Sequence, residues 1–287
     1  MAWLSGYGYR KQVVITGQTG AGTLYQVLLK VGESSGSTGA DFHIEDHDLA
    51  WPDDIRFTDD DGTTLLDYWL EKTEGAAPNR LAHIWVKVAD DLGSNQNIYC
   101  YYNKSGDTSA SNGANTFIQF HGAATAAFKD ANIVPPNNVA FGAKVKATAS
   151  SHNLLWGLNK VTGDTDDYFL LQSHTASNAR YGYARNGANR TQISEAPSFT
   201  LDTWYRIRFN RVTSAAHYFV DDDEIATGIT TNFPDENLGL QYWPAVGTGE
   251  QEFSFARKYV SSEPAFSSAG AEETRAAVGR SFGYILG

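Results

Sequence analysis

The segment WYRIRFNRV, residues 204–212, puts Tyr205, Ile207 and Phe209 on one side and Arg206, Arg208 and Asn210 on the other. A period of two is that of a β-strand with one face in a core and the other towards solvent. The same period recurs on either side of it. In QVLLKV (26–31) Val27, Leu29 and Val31 share a face, and in HIWVKV (83–88) Ile84, Val86 and Val88 oppose His83, Trp85 and Lys87. Between such runs lie GESSGSTG (32–39), DDDGTT (59–64), NKSGDTSASNGAN (103–115) and RNGAN (185–189), whose Gly, Asn, Asp and Ser residues suit turns. Many short strands parted by such turns predict antiparallel sandwiches, about six strands before a boundary within 103–118 and about nine after it. The best helical candidates are GAATAAFKDA (122–131) and GAEETRAAV (270–278), both short.

Composition narrows the functional classes. The 287 residues carry 33 Asp and Glu against 22 Lys and Arg, a net charge of −11, and no basic tract, so a grip on nucleic-acid phosphate is not expected. The 15 Tyr, 15 Phe and 7 Trp favour strands and give ample core material. Cys100 is the single cysteine, which rules out an intrachain disulfide; alternating with tyrosines in NIYCYYN (97–103), it reads as a small buried hydrophobe. No apolar run approaches membrane-spanning length, so membrane insertion is not expected. MAWLSGYGYRKQ (1–12) has neither a basic start nor an apolar stretch, so no secretory signal is visible. An extracellular protein lacking its leader, or a virion component released by lysis, is the expectation.

Several stretches of the first half together resemble a family known as the domain of unknown function 2341. They are WLSGYGYRKQVVI (3–15), YQVLLKV (25–31), FHIEDHDLAWPDDIRFTDDDGTTLLDYWLE (42–71), HIWVKV (83–88) and IYCYYNKSGDTSASNG (98–113), with DDIRFTDDDGTTLLDYWLE the specific block. In that family the domain commonly precedes a concanavalin-like or laminin-G-like jelly roll on surface proteins of archaea, bacteria and their viruses. The second half is similar to such a jelly roll: DTWYRIRFNRVTSAAHYFVDDDEIATGI (202–229) resembles its paired strands, and FARKYVSSEPAFSSAGAEE (255–273) its closing strand and tail. The resemblance implies an all-β protein of two antiparallel β-sandwich domains, residues 1–113 and a concanavalin A-like jelly roll over 114–274, with a tail at 275–287.

Candidate sites follow from spacing. In ADFHIEDHDLAWPDDIRFTDDDG (40–62), His43, Glu45 and His47 would share a face if the strand continued, and two imidazoles with a carboxylate could hold a divalent metal. Hydrogen bonding at a polar edge is the favoured reading of both histidines. The TDDDGT run offers Asp59 and Asp61 to calcium, but reads better as a hairpin turn with Gly62 in the left-handed conformation. TGDTDDYF places Asp164, Asp166 and Asp167 on a loop before a strand, the first-ranked calcium candidate of the second half; YFVDDDEIATG reads as a hairpin with Val220 and Ile225 flanking the turn. GESSG formally matches a serine nucleophile elbow but opens a loop with no helix after it. No E-x-D-x-E run of a jelly-roll glycosidase and no phosphate-binding glycine loop occurs.

The remaining signal is aromatic and polar. Tyr168, Gln172 and His174 share one face of their strand with Leu170, as do Tyr181, Tyr183 and Arg185 of theirs, and pairing of the two would make a face on which a sugar could stack, with Trp243 added from LQYWPAVG. The expected function is non-catalytic recognition or attachment, with a cell-surface or environmental polysaccharide as ligand, calcium as the one candidate cofactor, and copies of itself or neighbouring structural proteins as further partners. Capsid decoration, a spike or a tail fibre would be its setting. The enzymatic alternative, a polysaccharide hydrolase or lyase, would rest on His174, Tyr181, Tyr183 and Arg185 converging; a third possibility is a purely structural protein of a viral or cell-surface assembly.

Overall fold

The computed structural model describes residues 2–163, 166–226 and 228–276. Seven strands precede the junction: β1 (Tyr9–Thr16), β2 (Tyr25–Gly32), β3 (Phe42–His43), β4 (Arg56–Thr58), β5 (Tyr68–Glu74), β6 (Leu81–Val88) and β7 (Gln96–Tyr102). A single helical turn, α1 (Gly113–Thr116), capped by the Asn112 side chain on the Asn115 amide, leads into the second half. There follow β8 (Gln119–His121), β9 (Phe128–Lys129), β10 (Val139–Ala147), β11 (Asn153–Asn159), β12 (Tyr168–His174), β13 (Ala179–Asn186) and β14 (Asn189–Glu195). The chain closes with β15 (Tyr205–Val212), β16 (Ala215–Val220), β17 (Asp223–Glu224), β18 (Gly239–Val246), β19 (Gly249–Lys258), β20 (Ala265–Ala269) and β21 (Glu273–Thr274).

These strands make four sheets and two sandwiches. One sheet runs β20-β1-β7-β4, with β21 also on β1, and faces a second running β3-β2-β6-β5. All pairs are antiparallel except the two-residue match of β3 to β2. Between the sheets lies a core of residues such as Val13, Val27, Leu29, Ile84, Val86 and Cys100, so the inward halves of QVLLKV and HIWVKV are inward in fact and the thiol is a buried hydrophobe. The second sandwich stacks β17-β16-β15-β10-β19-β8 on β14-β13-β12-β11-β18-β9. Ile207 and Phe209 from the opening segment enter its core with Trp156, Phe169 and Tyr242.

Three expectations are corrected. Residues 122–131 are not helical: Phe128–Lys129 pair with β18, because the strand edge there satisfies backbone groups that a short alanine-rich helix would leave to water. Within 270–278 the described residues hold β21, also a strand, and residues 277–287 of the tail lie outside the described residues. Residues 265–274, expected with the jelly roll, sit on the first sandwich instead. Val13 pairs with Ala269, Ile15 with Phe266, Tyr9 with Thr274 and Arg10 with Glu273. The outer edge of β1 needs a partner, and the returning chain supplies it.

The sandwiches meet through the outward faces of β2, β5 and β6 on one side and of β10, β15 and β19 on the other. Trp69 makes edge-on contacts with Phe117, Phe120, Phe253 and Phe255 at 4.8–5.9 Å between ring centroids, and Trp85 packs on Phe117 and Phe255. Such clusters add roughly 0.5–1.5 kcal/mol per pair beyond area burial. Glu71 on β5 accepts from Trp85 Nε1 at 2.8 Å and from Arg206 on β15. The alternation that set Trp85 and Arg206 outward is right, but outward here means into the joint.

Two histidines make the fold sensitive to acid. His152 is 2 % exposed, its ring bonded to the Ala149 carbonyl at 3.0 Å and the Ser173 hydroxyl at 2.9 Å, and burial holds its pKa below the ordinary value. His83 is depressed in the same direction, by burial first and then by Lys72. Both are therefore favoured neutral in the fold, and the unfolded chain takes up protons first as the pH falls through about 6.5. Their contribution is complete above that pH and lost below it. The melting temperature should fall as the pH is lowered from 7 to 5, with a shallower slope in His152→Gln; an unchanged slope in that variant would contradict the assignment.

Candidate functional site

The sheet carrying β11, β12, β13 and β18 is apolar on both faces. Trp156, Phe169, Leu171, Ala184 and Tyr242 point into the core, while Leu155, Tyr168, Leu170 and Tyr183 form a separate cluster on the outer face with Tyr181 and Trp243 packed against it. Register lines up that face. Tyr181 is opposite Gln172, Gln172 opposite Leu155, and Leu155 opposite Trp243, so one row crosses four adjacent strands. At a strand spacing of about 4.8 Å the end strands of that row are about 14 Å apart. A second row sets Tyr183 beside Leu170 and Gly157, and a third sets Arg185 beside Tyr168.

The residues differ in what they leave open. Tyr168 is 1 % exposed, and Gln172 and Tyr183 are each 7 % exposed. Tyr183 Oη donates to Gln172 Oε1 at 2.6 Å, Gln172 Nε2 donates to Asn153 Oδ1, and the Arg190 guanidinium lies 5.1 Å from the Tyr183 ring centre. These groups hold the face together. Tyr181, Trp243, His174 and Arg185 are half-buried and present surface. Tyr181 stacks on Tyr183 at 5.6 Å and 19°, which fixes its ring plane. Trp243 is approached by the loop after β11: Gln241 bonds both the amide and the carbonyl of Gly163, and a Cβ at Gly163 would lie 3.4 Å from the indole.

His174 and Arg185 do not converge. His174 is opposite Ala179, six positions along β13 from Arg185, about 20 Å at the strand rise. Its Nδ1 is bonded to Ser177 Oγ at 3.0 Å, and Arg185 Nε donates to the Gly187 carbonyl at 2.6 Å. The four groups needed for a lyase-like centre are thus spread along a hairpin.

The metal expectations fare differently. The strand carrying His43 stops there because Glu45 and Asp46 adopt φ of 56° and 60°. His43 Nε2 then bonds the Ser37 carbonyl at 3.1 Å, whereas His47 stacks on Tyr9 at 4.4 Å and bonds Glu272 at 2.8 Å. Both rings thus make the hydrogen bonds of the favoured reading, and among the described residues no grouping of possible metal ligands contains either histidine. Asp61 closes its turn by accepting from the Thr63 and Thr64 amides and the Thr64 hydroxyl, which pulls its pKa down to about 2. Gly62 has φ of 76°, as the hairpin reading requires, and Asp59 lies near Asp60 and Asp90. Asp164 lies outside the described residues. Asp166 caps the Asp167 amide, and Asp167 accepts from the Gly187 amide at 2.5 Å. Asp167 is drawn together with Asp235 and Glu236, two carboxylates far along the chain that no spacing ties to this loop. Three carboxylates fall short of the six or more oxygens calcium takes. Glu33, Asp46 and Asp48 form a further acidic group, but Glu33 is already held by Arg80.

A family model described as a domain of unknown function, DUF2341, matches residues 51–132. The match includes the DDIRFTDDDGTTLLDYWLE block, leaves residues 3–50 outside, and runs through the junction to β9. It therefore contains Trp69, Trp85, Phe117 and Phe120 of the joint. No curated protein sequence matches the chain. Among solved structures, galectin LEC-6 from Caenorhabditis elegans is similar at 11 % identity and a TM-score of 0.37, covering 48 % of this chain and 94 % of that one. The carbohydrate-binding module CBM66 from Bacillus subtilis is similar at 8 % identity and a TM-score of 0.36, with 48 % and 83 % covered. Sheep galectin-11 is similar at 8 % identity and a TM-score of 0.31, with 53 % and 98 % covered.

Proposed function

We propose that this protein is a non-catalytic recognition module that contacts carbohydrate through the outer face of β11, β12, β13 and β18, at a cell or particle surface. The observation that carries the reading is the row from Tyr181 to Trp243. Two half-buried aromatic rings share one sheet face, one fixed by stacking on Tyr183 and the other flanked by the Gly163 loop. Rings held this way offer pyranose faces a stacking surface at little entropic cost, and Arg185 and His174 on the same face can bond hydroxyls. Binding without turnover suits a face whose His174 and Arg185 stand too far apart to act on one bond. Shallow faces bind weakly, and display in many copies on a virion or cell surface would supply avidity.

A glycan array probed with the full chain, in calcium and again in chelator, tests this. A defined class of sugar should bind, with Tyr181→Ala and Trp243→Ala each weakening it by about tenfold, the effect of roughly 1.4 kcal/mol of lost contact. Loss in chelator would mean that a divalent cation takes part in binding. Binding that survives both substitutions unchanged would place the sugar elsewhere and end this reading.

A further inference from the structure

Between the sandwiches lies a cleft of about 480 Å³, the size of a small-ligand site, lined by both halves of the chain. Trp85, Phe253 and Phe255 give it an apolar end. Its walls carry Lys30, Lys72, Arg206, Arg208 and Arg257 against Glu71, Asp222 and Glu263, an excess of positive charge in a chain of net charge −11. Most of these are already matched. Arg257 and Glu263 pair with one another, Arg206 is held by Glu71, and Lys72 reaches Glu74. Two are not matched in this way. Among the described residues Lys30 has no ion pair, and Arg208, whose guanidinium lies 4.1 Å from the Phe219 ring centre, has as its one ion-pair partner Asp222, 3.3 Å away on a carboxylate that is 87 % exposed. Asn210, 7 % exposed and also in the wall, has its Oδ1 without a hydrogen-bond partner among the described residues, and so has Arg208 Nε.

We propose that this cleft is a second binding site, for a carboxylate-bearing saccharide of about one uronic acid unit. Lys30 and Arg208 take the carboxylate, Asn210 accepts from a hydroxyl, and the ring lies towards the aromatic end. A guanidinium and an ammonium in a half-enclosed cleft bind a carboxylate more strongly than surface charges do, because water screens them less. His83 lies in the same wall, 3.4 Å from Glu74; its pKa is depressed by burial first and then by Lys72, with Glu74 and Glu71 raising it and Lys30 lowering it. A bound carboxylate would act in the raising direction. The site is separate from the Tyr181–Trp243 face and does not depend on it.

The test is calorimetric titration of the full chain with galacturonate and with galactose as its neutral counterpart, repeated on Lys30→Ala, Arg208→Ala and Trp243→Ala. Galacturonate should bind better than galactose, lose about tenfold or more in each of the first two variants, and be unaffected by Trp243→Ala. Nuclear magnetic resonance of the His83 ring should show its titration move to higher pH on saturation, which a merely structural role for Lys30 and Arg208 would not produce. Equal binding of the neutral sugar, indifference to both cleft variants, or loss in Trp243→Ala would each overturn the proposal. Melting temperatures of Lys30→Ala and Arg208→Ala close to that of the parent separate lost binding from lost fold.

Discussion

Ending the chain at residue 260 is expected to unfold the first sandwich and leave the second standing. The segment removed is distant in sequence from the first sandwich, yet it supplies one edge of it. Phe266 stacks on Phe42 at 6.0 Å; Glu272 accepts from Tyr102 and bonds His47, each at 2.8 Å; Glu273 pairs with Arg10 at 2.7 Å. Glu263 leaves as well, so Arg257, 6 % exposed, loses its carboxylate, and Tyr25 loses an acceptor. A buried cation stripped of its partner alone costs about 3–5 kcal/mol. Adding the lost strand pairing brings the loss into the range of a whole domain's stability, about 5–15 kcal/mol. The second sandwich keeps both sheets and its core. Hydrogen exchange should therefore show lost protection across β1–β7 and retained protection across β10–β19. A synthetic peptide of residues 261–276 should restore the first sandwich by adding its strand back. Full protection of β1–β7 without that segment would refute this account.

Gly157→Ala should be the most damaging single methyl in the second sandwich. Gly157 lies mid-strand in β11 with φ of 152°, and a Cβ there would stand 2.2 Å from the Phe169 carbonyl oxygen. Backbone on the neighbouring strand cannot swing aside as a side chain could. Strain at such a conformation costs about 1–3 kcal/mol and overpacking about as much again. A loss of about 3 kcal/mol lowers the melting temperature of a domain this size by roughly 10 °C. It should also weaken binding at the outer face, since β11 carries Leu155 between Gln172 and Trp243. A variant melting within a degree or two of the parent would show that β11 can yield.

Much of this architecture was legible in the sequence, and the losses have physical causes. Period two found the strands, as Val27, Leu29, Val31, Ile207 and Phe209 show, because one face of each strand had to be apolar. The same rule misread the other face. Lys30, Trp85 and Arg208 look like solvent-facing residues, and alternation cannot tell water from a second sandwich. The return of residues 265–274 to β1 was invisible because strand pairing leaves no mark on sequence order. The sheet face was partly readable: register brought Tyr181, Gln172 and Trp243 into one row as alternation implied, but nothing in the spacing foretold that Tyr183 would spend its hydroxyl on Gln172. His43 and His47 failed as a pair because Glu45 and Asp46 turn the chain between them.

The pairing of Tyr9 with Thr274 also decides how the molecule meets a mechanical load. β1 begins and β21 ends on this one rung, so tension applied between Tyr9 and Thr274 opens β21 and then β20 from β1 one rung at a time instead of shearing all rungs together. Peeling residues 261–276 releases about 50 Å of chain at the strand rise before β10–β19 feel the pull. The same segment holds the first sandwich closed and lends Glu263 to the cleft wall, so such a pull would loosen the joint and open the cleft while the face carrying Tyr181 and Trp243 stayed intact.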